Sequence, residues 1–242
     1  MDLMSPKYET SVFDIDAARH GGYLYTKDAP LSAQLATQRT TDIILQSTNF
    51  AGCSVLDLGC GDGFYTIRFF DHGSPRMITG VDKSRNALEV AKMNVQNRFL
   101  QFVVSDATKL PFPDDTFDIA LIQSILHHSD NPLEIIREGF RVAPRVLIHE
   151  PNGNNMGLKI IERLSSYHRE HRERSYTSRL LKNWMREAGG EVTYEKFAGF
   201  VPMFCPGWMA SMMKTIEPAI EGLSFFNAVA CAVYVVAGRR VV

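Results

Sequence analysis

The chain has 242 residues, 45% hydrophobic and 22% charged, which is enough to bury one substantial core and unlike the composition of a disordered segment. A net charge of −1 and a pI near 6.7 supply no global field for nucleic acid or anionic lipid. Cys53, Cys60, Cys205 and Cys231 lie far apart without CxxC or Cys/His spacing, a usage that points to free thiols in a reducing compartment rather than to zinc or a disulfide framework.

The first residues lack a basic stretch leading into an apolar one, so a secretory leader is not expected and a cytoplasmic location is. Residues 1–30 mix Pro6, Gly21, Gly22 and Pro30 with Tyr8, Phe13, Tyr23 and Tyr25, a pattern that reads as a strap or lid. Ser32 to Gln46 suits a helix capped by Ser32, with Leu35, Ile43 and Ile44 turned inward. Val55, Leu56 and Leu58 then form the apolar run of a strand buried on both faces, and it closes in Gly59-Cys60-Gly61-Asp62-Gly63. Phe64, Ile67 and Phe70 recur at helical spacing beyond the turn, so the loop feeds a helix N-terminus suited to an accepting or anionic group.

Met77 to Asp82 reads as a second buried strand ending in an acid, the place from which a carboxylate accepts ribose hydroxyls beside a nucleotide-type loop. Ser84 caps a helix in which Leu88, Ala91 and Val95 share a face, and Phe99 to Val104 forms a third strand running into Ser105-Asp106-Ala107-Thr108. Asp106 is either a turn cap or an acceptor for an exocyclic amine. After the proline-broken loop 110–115, Thr116 to Gln123 gives a fourth strand that leads into Ser124-Ile125-Leu126-His127-His128. Asp130-Asn131-Pro132 opens a helix with Leu133, Ile136 and Phe140 on one face, and a fifth strand runs from Arg145 to Glu150. Strand and helix alternate throughout, which predicts an open, mostly parallel sheet with helices on both faces.

Ile160, Ile161 and Leu164 open a helical stretch into the charged run 168–174, read as a solvated face with opposite-charge pairs ahead of the alternative, an anion-binding patch. Ser175 is a cap for a helix through Leu180, Leu181, Trp184 and Met185, stopped by Gly189-Gly190, and Val192 to Phe197 forms a sixth strand. Phe200 to Met213 carries Met203, Phe204, Trp208, Met209, Met212 and Met213, a surface suited to an apolar substrate, a dimer contact or ordinary core packing. Ala228 to Ala237 completes a seventh strand. The apolar run from Phe225 to Ala237 contains Asn227 and falls short of the roughly 20 residues of a spanning helix.

The dinucleotide fingerprint GxGxxG requires glycine where Phe64 stands, which disfavours a nicotinamide cofactor. Asp57-Leu58-Gly59-Cys60-Gly61-Asp62-Gly63, Val81-Asp82, Ser105-Asp106-Ala107 and Asp114-Asp115-Thr116-Phe117-Asp118 together resemble the class I S-adenosylmethionine-dependent methyltransferases. Leu126-His127-His128 before Asn131-Pro132 is similar to the small-molecule branch that includes quinone-biosynthesis enzymes. The resemblance is firm over residues 50–150 and looser beyond. It implies a Rossmann-like α/β fold of seven strands, mostly parallel, with helices on both faces and a reversed last strand between the fifth and sixth. The whole chain would then be one domain: strap and helix over 1–48, cofactor core over 49–150, and substrate-side helices with two strands over 151–242.

By the same resemblance, Gly59 and Gly61 let the loop approach the methionine part of S-adenosylmethionine, Asp82 holds the ribose, and Asp106 with the Ala107 backbone meets the adenine. Asp57 organises the loop beside the cofactor's amino group, Gln123 lines the site, and Lys83 and Tyr25 are further contacts. His127, His128 and His149, with Glu150, are candidates for a general base, needed where the acceptor loses a proton. No resident metal is expected, since Asp130, Glu150 and Asn152 have no distinctive ligand spacing. The leading reading is methyl transfer to a small, apolar organic acceptor. Two others stay open: a regulatory module that binds the cofactor without transfer, and an NAD-dependent oxidoreductase.

Overall fold

A computed structural model describes residues 29–95, 97–164 and 174–241. The expected strap, with Tyr25, and the charged run up to Glu173 lie outside the described residues. Seven strands form one sheet in the order β3-β2-β1-β4-β5-β7-β6. They are β1 (Ser54–Leu58), β2 (Met77–Asp82), β3 (Leu100–Val104), β4 (Ile119–Gln123), β5 (Arg145–Pro151), β6 (Gly190–Ala198) and β7 (Val233–Arg240).

Strands β1 to β5 pair in parallel, with Val55 beside both Ile78 and Ile119. β7 runs antiparallel between β5 and β6, aligning Ile148 with Val236 and His149 with Val235. Every residue of β1 and β4 is buried, as central strands covered on both faces require, whereas edge strand β6 alternates between covered and exposed positions.

Helices α1 (Leu31–Ser47), α2 (Phe64–Gly73) and α3 (Arg85–Met93) cover one face of the sheet. There Ile43, Ile44, Phe50 and Phe69 pack on Val55, Ile78, Leu121 and Leu147. Helices α4 (Pro132–Val142) and α6 (Ser178–Glu187) cover the other, where Ile136, Phe140, Leu181 and Met185 meet Leu56, Ile122, Ile148 and Val236. The chain also forms α5 (Met156–Leu164), α7 (Gly207–Gly222) and the short α8 (Asn227–Ala230).

Several local expectations are corrected. Ser32 lies inside α1 and donates to the Met203 carbonyl at 2.8 Å, while Pro30 precedes the helix. α6 is capped by Thr177, whose hydroxyl accepts the Leu180 N–H, and not by Ser175. α2 forms where Phe64, Ile67 and Phe70 recur at helical spacing, with Thr66 and Phe69 fully buried and Ile67 and Phe70 packed partly buried against the same core. β7 begins at Val233 because Asn227–Ala230 closes a helical turn first. Among the described residues no helix is long and apolar enough to cross a membrane.

Two buried carboxylates fasten α7 to the sheet. Glu221 bonds the Arg39 guanidinium and the Gly199 N–H, and Glu217 accepts the Phe200 N–H at 2.8 Å while pairing with Lys214. A cavity of about 470 Å³ lies beside these groups. Its carboxylates are satisfied by its own cations and by backbone, so it acts as a clasp between α1, β6 and α7.

Candidate active site

The C-terminal ends of the parallel strands define one edge of the sheet, and the turn after β1 is tied to it by hydrogen bonds. The N–H groups of Gly59 and Cys60 both donate to the Val81 carbonyl, at 2.8 and 3.0 Å. Gly61 donates to Asp82 Oδ2 at 2.9 Å, and Ser84 N–H donates to Asp82 Oδ1 at 2.8 Å. Asp82 therefore holds two loops from one strand end. Gly59 has φ +73°, and a Cβ there would stand 1.9 Å from the Ile125 Cγ2. That contact presses the loop after β1 against the turn after β4, so glycine is required by both conformation and space.

Asp57 is buried at the end of β1 and accepts the Thr66 hydroxyl at 2.6 Å. Burial raises its carboxyl to about 7, against the lowering by Thr66 and with a further push from the Asp82 charge. Asp106 lies past β3 on the same edge. Burial works against its charged form, but hydrogen bonds from Thr108 and the Lys83 ammonium, 3.1 Å away, hold it below the usual carboxylate range. Ala107 beside it is partly buried against the core.

β4 and β5 end in a second set of polar groups. Gln123 is buried and aligned with His149 on β5. Ser124 adopts φ +54° and starts a sharp turn into a 3-10 segment over Leu126–His128. The fully buried Glu150 receives this turn: its Oε1 accepts Ile125 N–H at 3.0 Å and Leu126 N–H at 2.8 Å, and its Oε2 lies 2.6 Å from His127 Nδ1. The His127 and His128 rings are 3.9 Å apart. His149 faces the opposite side of the sheet from Glu150. Burial pulls its imidazole down to about 4, despite the Glu150 charge, and its Nε2 is buried with no hydrogen-bond partner among the described residues.

Residues 56–145 match the methyltransferase domain family. Over this segment the chain resembles the class I methyltransferases. It is 35% identical over 129 residues to 27-O-demethylrifamycin SV methyltransferase of Amycolatopsis mediterranei, covering 51% of this chain and 46% of that protein. It is 40% identical over 90 residues to a ubiquinone/menaquinone biosynthesis C-methyltransferase of Desulfotalea psychrophila, covering 36% of each. The chain thus spans less than half the length of these curated relatives. A chain from the complex between the Haloferax volcanii Trm112 methyltransferase activator and a putative methyltransferase superposes with a TM-score of 0.68 at 18% identity, over 95% of this chain and 97% of its own.

The family's cofactor, S-adenosylmethionine, suits the groups present. Asp57 is a buried carboxylate bonded by one neutral hydroxyl and pushed towards protonation by a second carboxylate. A ligand carrying an ammonium and a sulfonium relieves that strain, whereas a phosphate would add to it. Of the methyltransferase site residues expected from sequence, Asp57, Gly59, Gly61, Asp82, Lys83, Asp106 and Ala107 gather around the ends of β1 to β3. Gln123, His127, His128 and His149 gather around the ends of β4 and β5, and Tyr25 is outside the described residues. Among the described residues no group of three or more His, Cys, Asp or Glu is placed to hold a metal.

Two contributors were not singled out from sequence: Thr66, although a hydroxyl in the first turns after a glycine loop is a natural partner for the acid of the preceding strand, and Ile125, which meets Gly59. Glu150 stands in the sequence only as one candidate base among several; the clue to its further part is a carboxylate at the end of a buried strand.

Proposed function

We propose that the chain transfers the methyl group of S-adenosylmethionine to a small organic acceptor. The observation that carries this is the Asp82 carboxylate bonding Gly61 across the glycine loop, inside the segment matched to the methyltransferase domain. In this reading Gly59 and Gly61 bring backbone against the methionine part, and Asp57 faces the amino group. Asp82 lies beside the ribose, and Asp106, steadied by Lys83, lies with Ala107 beside the adenine. Gln123 lines the centre, with Tyr25 as a further contact. When bound, the cofactor supplies an electrophilic methyl group on sulfur. The protein must align the acceptor with that methyl and exclude water. His127, His128 and His149 are the candidates for accepting a proton from the acceptor.

Relatives named for rifamycin and quinone methylation support an extended organic acceptor. The reading treats residues 1–242 as one catalytic unit working in the cytoplasm. It assigns the exposed Phe204, Trp208 and Met212 to an acceptor or to a second copy of the chain, a choice that sedimentation velocity decides. The primary test is isothermal titration with S-adenosylmethionine, S-adenosylhomocysteine and NADH. Binding of both sulfur ligands and not NADH is expected; binding of NADH alone would replace this reading with a dehydrogenase.

A further inference from the structure

We propose that the outward side of α7, with the turn into α8 and the exposed stripe of α5, docks the protein on an anionic lipid bilayer. The inference goes beyond the methyl-transfer reading and does not depend on it. α7 is inverted for a helix in water. Its three charged residues belong to the clasp: Lys214 pairs with Glu217, and Glu217 and Glu221 are buried beside Arg39. The side left exposed carries Trp208, Met212 and Ile216 at helical spacing and runs on to Leu223, with only Ser211, Thr215 and Ala219 between them. A water-facing helix carries the opposite pattern.

Two further pieces extend this surface. Phe225 and Phe226 follow in the turn that opens α8, and Asn227 Nδ2 ties that turn to α7 by donating to the Glu221 carbonyl at 2.9 Å. Asn155 Nδ2 donates to the Ala230 and Cys231 carbonyls at 3.2 and 3.1 Å, which sets the start of α5 against α8 and adds the exposed Met156 and Ile160. All three helices leave one edge of the sheet. Val233, where β7 starts, pairs with Pro151 at the end of β5 and with Ala198 at the end of β6, so α5, α7 and α8 lie along the same edge as the glycine loop. Trp208 and Phe225 alone, 71 and 91% exposed, present roughly 250–400 Å2 at ~150–250 Å2 for a whole aromatic side chain. With their neighbours they exceed what a soluble monomer ordinarily leaves in water.

Charge decides the occupant. Arg163 lies one turn beyond Ile160 on α5, and Arg174 adjoins Ser175, whose N–H donates to Glu162 and whose carbonyl accepts from Lys159 of the same helix. Both arginines are exposed, and neither forms an ion pair among the described residues. A second copy would bring no counter-charge from α5 or α7, because Glu162 is paired with Lys159 while Glu217 and Glu221 are buried. Anionic headgroups supply it, each arginine near such a surface gaining about 1 kcal/mol. Acyl chains at the headgroup boundary also receive the protruding Phe225 without a preformed recess.

The test uses the wild-type chain without cofactor or acceptor, floated with vesicles of phosphatidylcholine alone or mixed with phosphatidylglycerol. Binding is expected, tighter to the mixed vesicles, with a blue shift of Trp208 emission and quenching by lipids brominated in their acyl chains. Trp208→Phe should keep affinity within about fivefold and lose the quenched component, since the remaining Trp184 packs on Tyr176 against the core. Trp208→Ser and Phe225→Ser should each weaken binding to both vesicles at least about tenfold. Arg163→Gln with Arg174→Gln should weaken binding about tenfold on the mixed vesicles only. Failure to float, flotation with Trp208 unquenched, or binding untouched by the two serine variants overturns the proposal. A dimer in sedimentation velocity that Trp208→Ser dissociates, found in place of vesicle binding, gives the face to a second copy instead.

Discussion

The two halves of the strand-end edge share out their contacts differently. Around β1 to β3 several carboxylates divide the work: Asp82 takes Gly61, 21 residues away, and its near neighbour Ser84, Asp106 takes Thr108 two residues on, and the buried Asp57 takes the Thr66 hydroxyl. Around β4 and β5 one fully buried side chain organises the whole turn: Glu150 takes Ile125, Leu126 and His127, which lie 25, 24 and 23 residues away. An edge whose contacts are divided among several acids tolerates loss of one, whereas a buried carboxylate carrying three donors does not.

The sharpest way to break this contrast is Glu150→Ala, which leaves two amides and one imidazole nitrogen without their acceptor. We expect it to cost about 3–5 kcal/mol of stability in urea denaturation, in the range for stripping one partner from a buried charged pair. A loss below about 1 kcal/mol would show that the second half is no more demanding than the first. Gly59→Ala probes the contact joining the halves. Its Cβ would stand 1.9 Å from Ile125 Cγ2 at a left-handed φ of +73°, so we expect a cost of about 2–4 kcal/mol from crowding and strain together. Adding Ile125→Ala should return part of it. If the double variant is no more stable than the sum of the single ones, the halves are not coupled through this contact.

The same contrast explains what the sequence discloses. The seven strands, their alternation with helices and the first half of the edge rest on runs and motifs a few residues long, so Asp57, Gly59, Asp82 and Asp106 could be placed in advance. The reversed β7 and its place between β5 and β6 came from family resemblance, because nothing in Val233–Arg240 alone states its direction. Helix caps went astray where two hydroxyls competed: Ser175 and Thr177 both precede α6, and tertiary position decides for Thr177. Glu150 became legible through register, since its partners follow a different strand. The inward turn of Thr66 likewise follows from how α2 rests on the sheet.

A third prediction concerns Asp57, which burial holds near 7 in the cofactor-free protein. If it ionises to meet the cofactor's amino group, binding releases a proton at pH values below about 7. Calorimetry in buffers of different ionisation enthalpy should find up to about one proton released, and affinity should weaken about tenfold per pH unit well below 7. Asp57→Asn should remove both effects. Proton release that persists in this variant would move the linkage to another group.

The smallest effect sets the two halves directly against each other. Asp57 has its folded-state carboxyl raised from 3.8 to about 7, so its contribution to stability is full below 3.8 and is lost as pH rises through about 7. His149 has its folded-state imidazole lowered from 6.5 to about 4, so its contribution is present above 6.5 and is lost as pH falls through about 4. Between about 4 and 6.5 the two slopes oppose each other, each near 1 kcal/mol per pH unit. The cofactor-free protein should therefore be nearly indifferent to pH in that window as far as this pair is concerned. Asp57→Asn uncovers the His149 slope, and stability then rises with pH more steeply than in wild type. His149→Leu uncovers the Asp57 slope, and stability then falls with rising pH. Urea midpoints at pH 4.5, 5.5 and 6.5 for the three proteins read the two slopes separately. Parallel profiles would mean that neither buried group keeps its displaced protonation in solution, and the electrostatic part of the contrast between the two halves would fall with it.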